Sequence, residues 1–412
     1  MNELVEELET GNCGLVTGDF PISPNARLQD GVLPERTFNH QSPMTSPPSP
    51  VTASAPVTAT APGKVILFGE HGVNRGQPAI AASVGLYAHC TASLPSGRGE
   101  SRAEVQRGIC FRSGDHETQS SREEILALRE QVEIWRKDQN YECIRALKAK
   151  DFFASQKYVL GSMFEEALPS ALELVWESEV PAASGLGSGG SAFTSMVAAV
   201  SELVQGGGIK MAAAFDSDLQ QRADWAHRGD IIAHGGIASA LDTQTSLFGG
   251  VIRFTGQGLA STIPCPPGLK LVIAHCGVSA PTSEVNTRVR LWLAERSDTR
   301  LKYFQTLGAL TRAAEPALAR GDWDELGRLM TLNQLVLEKI GVSCPEIDRL
   351  IETALAAGAY GAKISGSGGG GIIIALAPSE NKQTIAAALA QTGVKVFTPK
   401  IGVPGVTVTT DR

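Results

Sequence analysis

The sequence predicts an α+β fold in two lobes, and three observations carry that prediction. Strand patterns crowd the segment from about 57 to 111, helical patterns dominate much of the remaining chain, and a Pro/Gly-rich passage at 257–267 divides it. A glycine-rich turn at 181–192 lies deep in the chain, between a strand pattern and a helix pattern. A doubly wound dinucleotide domain would instead open its sheet with such a turn. With 412 residues and 42% hydrophobic content, the chain can bury one large core or two ordinary ones.

Taken in order, residues 1 to about 55 hold seven of the 22 prolines with many Ser, Thr and Asn, and read as a disordered extension. Four segments, 57–69, 79–84, 87–94 and 103–111, read as β-strands separated by Gly, Pro and Ser. In 122–171 the spacing of Ile125, Leu128, Val132 and Trp135 predicts one or two amphipathic helices whose charges form a solvated face. The alternation in 172–180 predicts a strand. After the glycine-rich turn, Phe193, Met196, Val197, Val200 and Leu203 predict a helix; a second helix is expected over 210–228 and a β segment around 245–254. The second half predicts a strand at 269–275, helices at about 282–295, 300–319, 322–339 and 345–358, and a glycine burst at 366–371 that introduces a strand. A helix at 381–391 and a last strand pair complete it.

The net charge of −7 is small for this length, and no basic run occurs, so composition does not point to nucleic acid. Seven scattered cysteines without a C-x-x-C pair suit buried thiols in a reducing compartment. The first residues lack the pattern of a secretory signal and no apolar run is long enough to span a bilayer, so the expected location is cytoplasmic.

Function is read from the turn at 181–192. Gly185, Gly187 and Gly190 satisfy G-x-G-x-x-G, a pattern shared by phosphate nests, dinucleotide sites and plain structural turns. The backbone N–H groups of Gly185, Leu186, Gly187, Ser188, Gly189, Gly190 and Ser191, at the positive end of the following helix, suit a nucleotide phosphate. A P-loop is absent, since Gly63-Lys64 is followed by Val65.

Three passages in fixed order, Pro62-Gly63-Lys64, Pro181 through Gly185-Leu186-Gly187-Ser188, and the burst Gly366 to Gly371, make the chain resemble the GHMP kinases from about Val57 to its end. Passages 237–250 and 333–348 favour the branch of that family that phosphorylates mevalonate. The resemblance implies a ribosomal-S5-like N-terminal domain over 56–265 and a ferredoxin-like C-terminal domain over 266–412. It also implies ATP as co-substrate, Mg2+, and transfer of the γ-phosphate to the C5 hydroxyl of mevalonate in isoprenoid synthesis. Asp242 falls at the position of the catalytic aspartate and Lys64 at that of its lysine partner; Ser188 and Asp230 fall at metal positions. Glu70, His71, Thr282, Gly366, Gly368 and Gly369 fall near the acceptor. Family members often form homodimers, and neither nucleic acid nor membrane is an expected partner.

Elementary chemistry agrees with these roles. Phosphoryl transfer to an alcohol needs alignment and charge neutralisation, which a carboxylate and an ammonium supply; as isolated residues, Lys64 and Asp242 would equally make a structural ion pair. The other histidines lack metal-ligand spacing and are assigned to packing or the surface. Two departures stand out: Gly189 replaces the second serine of the family's cradle, and Asp230 replaces a glutamate. Either Ser188 or Ser191 takes over the metal, or Asp230 and phosphates hold it alone. Three other functions are weighed. A kinase or decarboxylase acting on a phosphorylated mevalonate would need extra Lys or Arg, and none clusters near Thr282 or 366–371. A silent nucleotide sensor is suggested only by the missing serine and the short Asp230, and the retention of Lys64 and Asp242 argues against it; an NAD-dependent oxidoreductase needs an acidic ribose partner that the helical sequence after the turn does not offer.

Overall fold

A computed structural model describes residues 55–95, 108–182, 184–206, 218–278 and 280–410, and the expected N-terminal extension, Cys13 and His40 lie outside them. The first lobe opens with strand β1 (Val57–Phe68), antiparallel to β2 (Ala79–Ser93). The sequence suggested two segments where β2 runs as one strand. The break at Gly85-Leu86 is absorbed as a bulge opposite Pro62-Gly63, where the register steps from Pro62↔Tyr87 to Gly63↔Val84.

The hairpin β3 (Ile109–Ser113) and β4 (His116–Ser120) leads into three helices, α1 (Arg122–Lys137), α2 (Tyr141–Lys150) and α3 (Ala154–Phe164). Ser121 and Glu124 close a capping box on α1. One or two helices were expected here. Asn140 caps a new start at α2 and Asp151 turns the chain again, its side chain accepting from Phe153 N at 2.9 Å. The solvated-face expectation also fails at Glu133, which accepts from the Tyr158 hydroxyl at 2.7 Å and pairs with Arg228.

Strand β5 (Leu172–Ser178) follows, then α4 (Ser188–Gln205), α5 (Leu219–Ala233), α6 (Leu241–Phe248), β6 (Val251–Phe254) and β7 (Ser261–Thr262). The β segment expected around 245–254 is therefore half helix. Thr245 donates its hydroxyl to Leu241 O at 2.6 Å and Ser246 to Asp242 O at 3.2 Å, which satisfies these strand-favouring side chains within a helical turn packed on β1 and β2. Gly249, at φ +67°, ends the turn.

The second lobe contains β8 (Leu271–His275), α7 (Thr282–Glu295), α8 (Ser297–Arg320), α9 (Trp323–Ile340), α10 (Pro345–Ala356), β9 (Gly361–Ser365), β10 (Ile372–Leu376), α11 (Lys382–Gln391) and β11 (Lys395–Phe397). Its sheet is antiparallel with order β11-β8-β10-β9, which in chain order is fourth, first, third, second, the ferredoxin-like arrangement. The final strand β12 (Thr407–Thr410) leaves this lobe and pairs with β1, so the last two strands do not pair with each other. The first sheet thus reads β12-β1-β2-β5-β3-β4, with β6 on the other half of β2; β3 and β5 are parallel, and its other pairs are antiparallel. Its core lies under α3 and α4, where Leu160, Met196, Val200, Phe111 and Leu174 are fully buried. No helix among the described residues is long and apolar enough to cross a membrane. Among the described cysteines, Cys90 and Cys276 are buried, whereas Cys110, Cys143, Cys265 and Cys344 are half-exposed, so burial of thiols is less general than expected.

Candidate active site

Strand β1 carries Lys64 to the centre of the first lobe. Its backbone N–H donates to Leu186 O at 2.8 Å, its Nζ donates to Gly185 O at 3.3 Å, and the same Nζ lies 3.2 Å from Asp242 Oδ1. The lysine side chain is 4% exposed and the aspartate 21%, so the pair is sheltered on one side and open on the other. Asp242 occupies the first turn of α6, where the unpaired N–H groups of a helix start favour a carboxylate.

The turn before α4 is built around glycine. Gly187 adopts φ +79°, and a Cβ there would stand 2.7 Å from Lys64 Cγ; one on Gly190 would stand 2.9 Å from the Asp242 backbone. Bare backbone thus lets the start of α4 lie against both members of the pair. The N–H groups of Ser188, Gly189 and Gly190 begin the helix and have no acceptor within it. Two expected nest residues serve the scaffold instead. Leu186 is buried with its C=O given to Lys64 and its N–H to Ser184 Oγ at 3.4 Å. Ser191 is also buried, and its hydroxyl donates to Gly187 O at 3.0 Å and Ser188 O at 3.2 Å, so it does not replace the missing serine. Ser188, half-exposed at the first helical position, is the hydroxyl that remains.

Asp230, on α5, is 1% exposed, and neither carboxylate oxygen has a hydrogen-bond partner. A Cβ on Gly189 would stand 3.3 Å from Asp230 Oδ1, so the carboxylate lies against the start of α4. Burial, reinforced by the nearby Asp242, pushes its carboxyl well above the usual range, with Lys64 pulling the other way. With only the His234 ring, lowered in pKa by burial, 3.9 Å from Oδ1, a buried carboxylate without hydrogen bonds beside a second carboxylate is a charge that a divalent cation would neutralise. No group of three or more His, Cys, Asp or Glu that could hold a metal occurs among the described residues. Phosphate and water oxygens would therefore complete the shell around Asp230 and Ser188, which suits Mg2+.

Beside the pair opens a cavity of about 170 Å³ at the junction of the lobes, lined by Lys64, Asp242, Glu70, His71, Thr282, Gly366 and Gly368, with Gly185 as the nest's contribution. It is smaller than the ~300–1,000 Å³ of drug-sized ligand pockets and matches a small acceptor. Gly369 does not line it; its N–H donates to Val342 O at 2.7 Å. His71 donates from Nε2 to Ser367 O at 2.8 Å, while its buried Nδ1 has no partner. Burial lowers its pKa to about 4, with the charges of Arg75 and Arg288 adding to the effect, so the ring is neutral. Thr282, at the first position of α7, lies 3.4 Å from Ser367 Oγ.

Four residues that sequence reasoning missed belong to this region. Ser239 and Asn286 line the cavity, as does His234, assigned to packing or the surface, whose Nδ1 donates to Asp230 O at 2.9 Å. Lys363, on β9, makes a wholly buried ion pair with Glu70. Only the spacing Asp230-x3-His234 offered a signal, since it puts both on one helix face.

Comparison with known proteins agrees with this architecture. The GHMP kinases N terminal domain family matches residues 153–250 and the GHMP kinases C terminal family residues 314–395. Mevalonate kinase of Methanothermobacter thermautotrophicus is 30% identical over 321 residues, covering 78% of this chain and 90% of that protein. The chain belongs to the mevalonate kinase family. Another member, from Pyrococcus furiosus, is 29% identical over 349 residues, covering 83% of this chain and 95% of its own. The crystal structure of L. major mevalonate kinase in complex with R-mevalonate superposes with a TM-score of 0.63 at 24% identity, over 84% of this chain and 95% of that one, and shares the fold. Within the family frame, the two-lobed α+β architecture is that of the GHMP kinases.

Proposed function

We propose that the chain is an ATP-dependent small-molecule kinase that transfers the γ-phosphate to the C5 hydroxyl of mevalonate. The single observation that carries this is the Lys64–Asp242 couple, 3.2 Å apart, set between the N–H groups at the start of α4 and a cavity sized for a small acceptor. Asp242 orients the acceptor hydroxyl and takes its proton; Lys64 stabilises the charge that develops on the oxygen and the transferring group. The nest and the first turn of α4 hold the phosphates. Asp230, Ser188 and the phosphate oxygens would hold Mg2+, which when bound neutralises phosphate charge. Among the residues lining the cavity, Lys64 is the single Lys or Arg, and it is already paired with Asp242. The lobes correspond to domains of about 56–265 and 266–412, with β12 lent back to the first.

The test is ADP release coupled to a spectroscopic readout, with purified protein, ATP, Mg2+ and a panel of mevalonate, phosphomevalonate and sugars. Turnover is expected with mevalonate, and turnover confined to another acceptor would refute the assignment. Asp242→Asn should lower kcat by about 10²–10⁴ while ATP affinity, measured by titration, stays near that of the parent.

A further inference from the structure

Helix α7 contributes two side chains to the wall of the acceptor cavity, Thr282 and Asn286. They stand four residues apart and so share one face of the helix, while Val285 and Val289 are buried. Thr282 lies 3.4 Å from Ser367 Oγ. Asn286 is half-exposed, and among the described residues its amide meets no hydrogen-bond partner; it is not sealed from solvent as Glu70 Oε2 is. An amide on a cavity wall with its donors unused is available to a ligand. Resting on the proposed kinase reading, we propose that Asn286 is a specificity-determining residue: its amide N–H groups donate to the carboxylate of the acceptor, and the site thereby prefers hydroxy acids to neutral polyols.

Charge around the cavity decides what the amide meets. Mevalonate is itself an anion, yet the lining carries the carboxylates of Asp242 and Glu70, with Lys64 taken by the first and Lys363 by the second. No ammonium of the wall is free, so the substrate carboxylate is met by neutral donors and by charge set further back. Two arginines supply that charge. Arg288 of α7 lies behind the glycine loop, where its Nη2 would stand 3.4 Å from a Cβ on Gly369. Arg75 donates to His71 O at 2.8 Å and covers the Phe304 ring. Neither lines the cavity, but His71 does, and both charges join burial, the main cause, in holding its pKa at about 4. A positive potential that resists protonation of a histidine favours an anion beside it. Asp242 and Lys64 belong to the first lobe and α7 to the second, so an acceptor whose C5 hydroxyl is held by the couple extends its carboxylate toward the α7 wall. An amide that instead accepted from the C3 hydroxyl would gain nothing from that potential.

The experiment compares kcat/KM for mevalonate and for its uncharged analogue, 3-methylpentane-1,3,5-triol, in the parent, Asn286→Leu and Asn286→Asp. Folding is checked by circular dichroism. Hydrogen bonds to a charged group are worth about 10- to 100-fold, so the parent should prefer mevalonate by at least about 10-fold. Asn286→Leu should raise KM for mevalonate by about tenfold or more, with KM for ATP unchanged and kcat/KM for the triol within about threefold of the parent. Asn286→Asp keeps the size and an accepting oxygen but replaces the donor by a charge that repels a carboxylate. It should therefore lose more activity on mevalonate than Asn286→Leu does, and added salt should recover part of the loss. If Asn286→Asp keeps the parent's preference, the amide accepts from a hydroxyl and the proposal is overturned. Equal losses on both compounds in Asn286→Leu, or a parent that takes both equally well, overturn it too. A parent that phosphorylates neither compound refutes the kinase reading itself, and the parent's activity alone tells the two failures apart.

Discussion

At the residue scale, two buried groups tie the site to pH in opposite directions. His71 titrates at about 4 in the folded chain against 6.5 in the unfolded one, so between these values the unfolded chain binds a proton that the folded chain refuses, and stability falls as pH drops through that window. His71 also sits at φ +58°, a backbone conformation that asparagine tolerates. Urea melts at pH 7 and pH 4 should therefore show the parent losing roughly 2–3 kcal/mol more than His71→Asn, and equal losses would show that the ring does not control acid stability. Asp230 behaves the other way. Its folded carboxyl titrates well above the usual range, so the folded chain holds a proton that the unfolded chain has released, and stability falls as pH rises above the ordinary carboxylate value. Metal-free Asp230→Asn should melt above the parent at pH 8, with the gap narrowing at pH 5. The same variant should need far more Mg2+ to reach half-maximal turnover, and an unchanged Mg2+ requirement would refute the proposed role of Asp230 in holding the metal. The sequence placed Lys64, Asp242 and Asp230 in the site through their motifs, but not Lys363. A lone lysine in a strand pattern carries no mark of a partner 293 residues away.

At the scale of elements, the start of α4 against α6 is the contact on which the proposed chemistry depends. Gly190 is helical, and in an open helix Gly→Ala gains about 0.8–1.0 kcal/mol. Here the added methyl would stand 2.9 Å from the Asp242 backbone, and forcing extra volume into a packed contact costs about 1–3 kcal/mol. The steric cost exceeds the propensity gain, so Gly190→Ala should lower stability in urea melts and, by moving α6, lower kcat by about tenfold or more. Unaltered kcat would mean that Asp242 is not held by this contact. Helices such as Trp323–Ile340 and Pro345–Ala356 were readable because their apolar faces repeat with helical period and glycine or proline marks their ends. The turn from Thr245 to Phe248 was not. Its β-branched and aromatic residues favour a strand locally, and its helical state comes from packing on β1 and β2, which no local window contains.

At the scale of the whole molecule, the chain closes on itself. Strand β12 brings the last described residues back to the first strand, pairing Val57↔Thr410 through Thr60↔Thr407, with Thr409 Oγ1 donating to Thr58 O at 3.2 Å. The Pro and Gly content of 257–267 suggests a division there, but nothing in the sequence suggests the return of β12, because long-range pairing leaves no local trace in four residues of Thr and Val. The pairing covers β1 on the side away from β2, four residues before Lys64, and places Val406 and Val408 against the core under α4. Removing residues 406–412 would expose that strand edge and uncover two valines, each worth up to about 1.5–3 kcal/mol when fully buried and less in their half-buried state. The truncated chain should melt roughly 5–10 °C lower and aggregate more readily. Because Lys64 is held separately, by Leu186, Gly185 and Asp242, the soluble fraction should keep kcat within about threefold of the full chain. Scanning calorimetry and active-site titration of the truncated protein measure the two quantities independently. A truncated chain with an unchanged melting temperature would show β12 to be an ornament on the sheet, and a folded one with kcat lowered a hundredfold would show that the closure of the chain, and not the local clamp, holds the lysine in place.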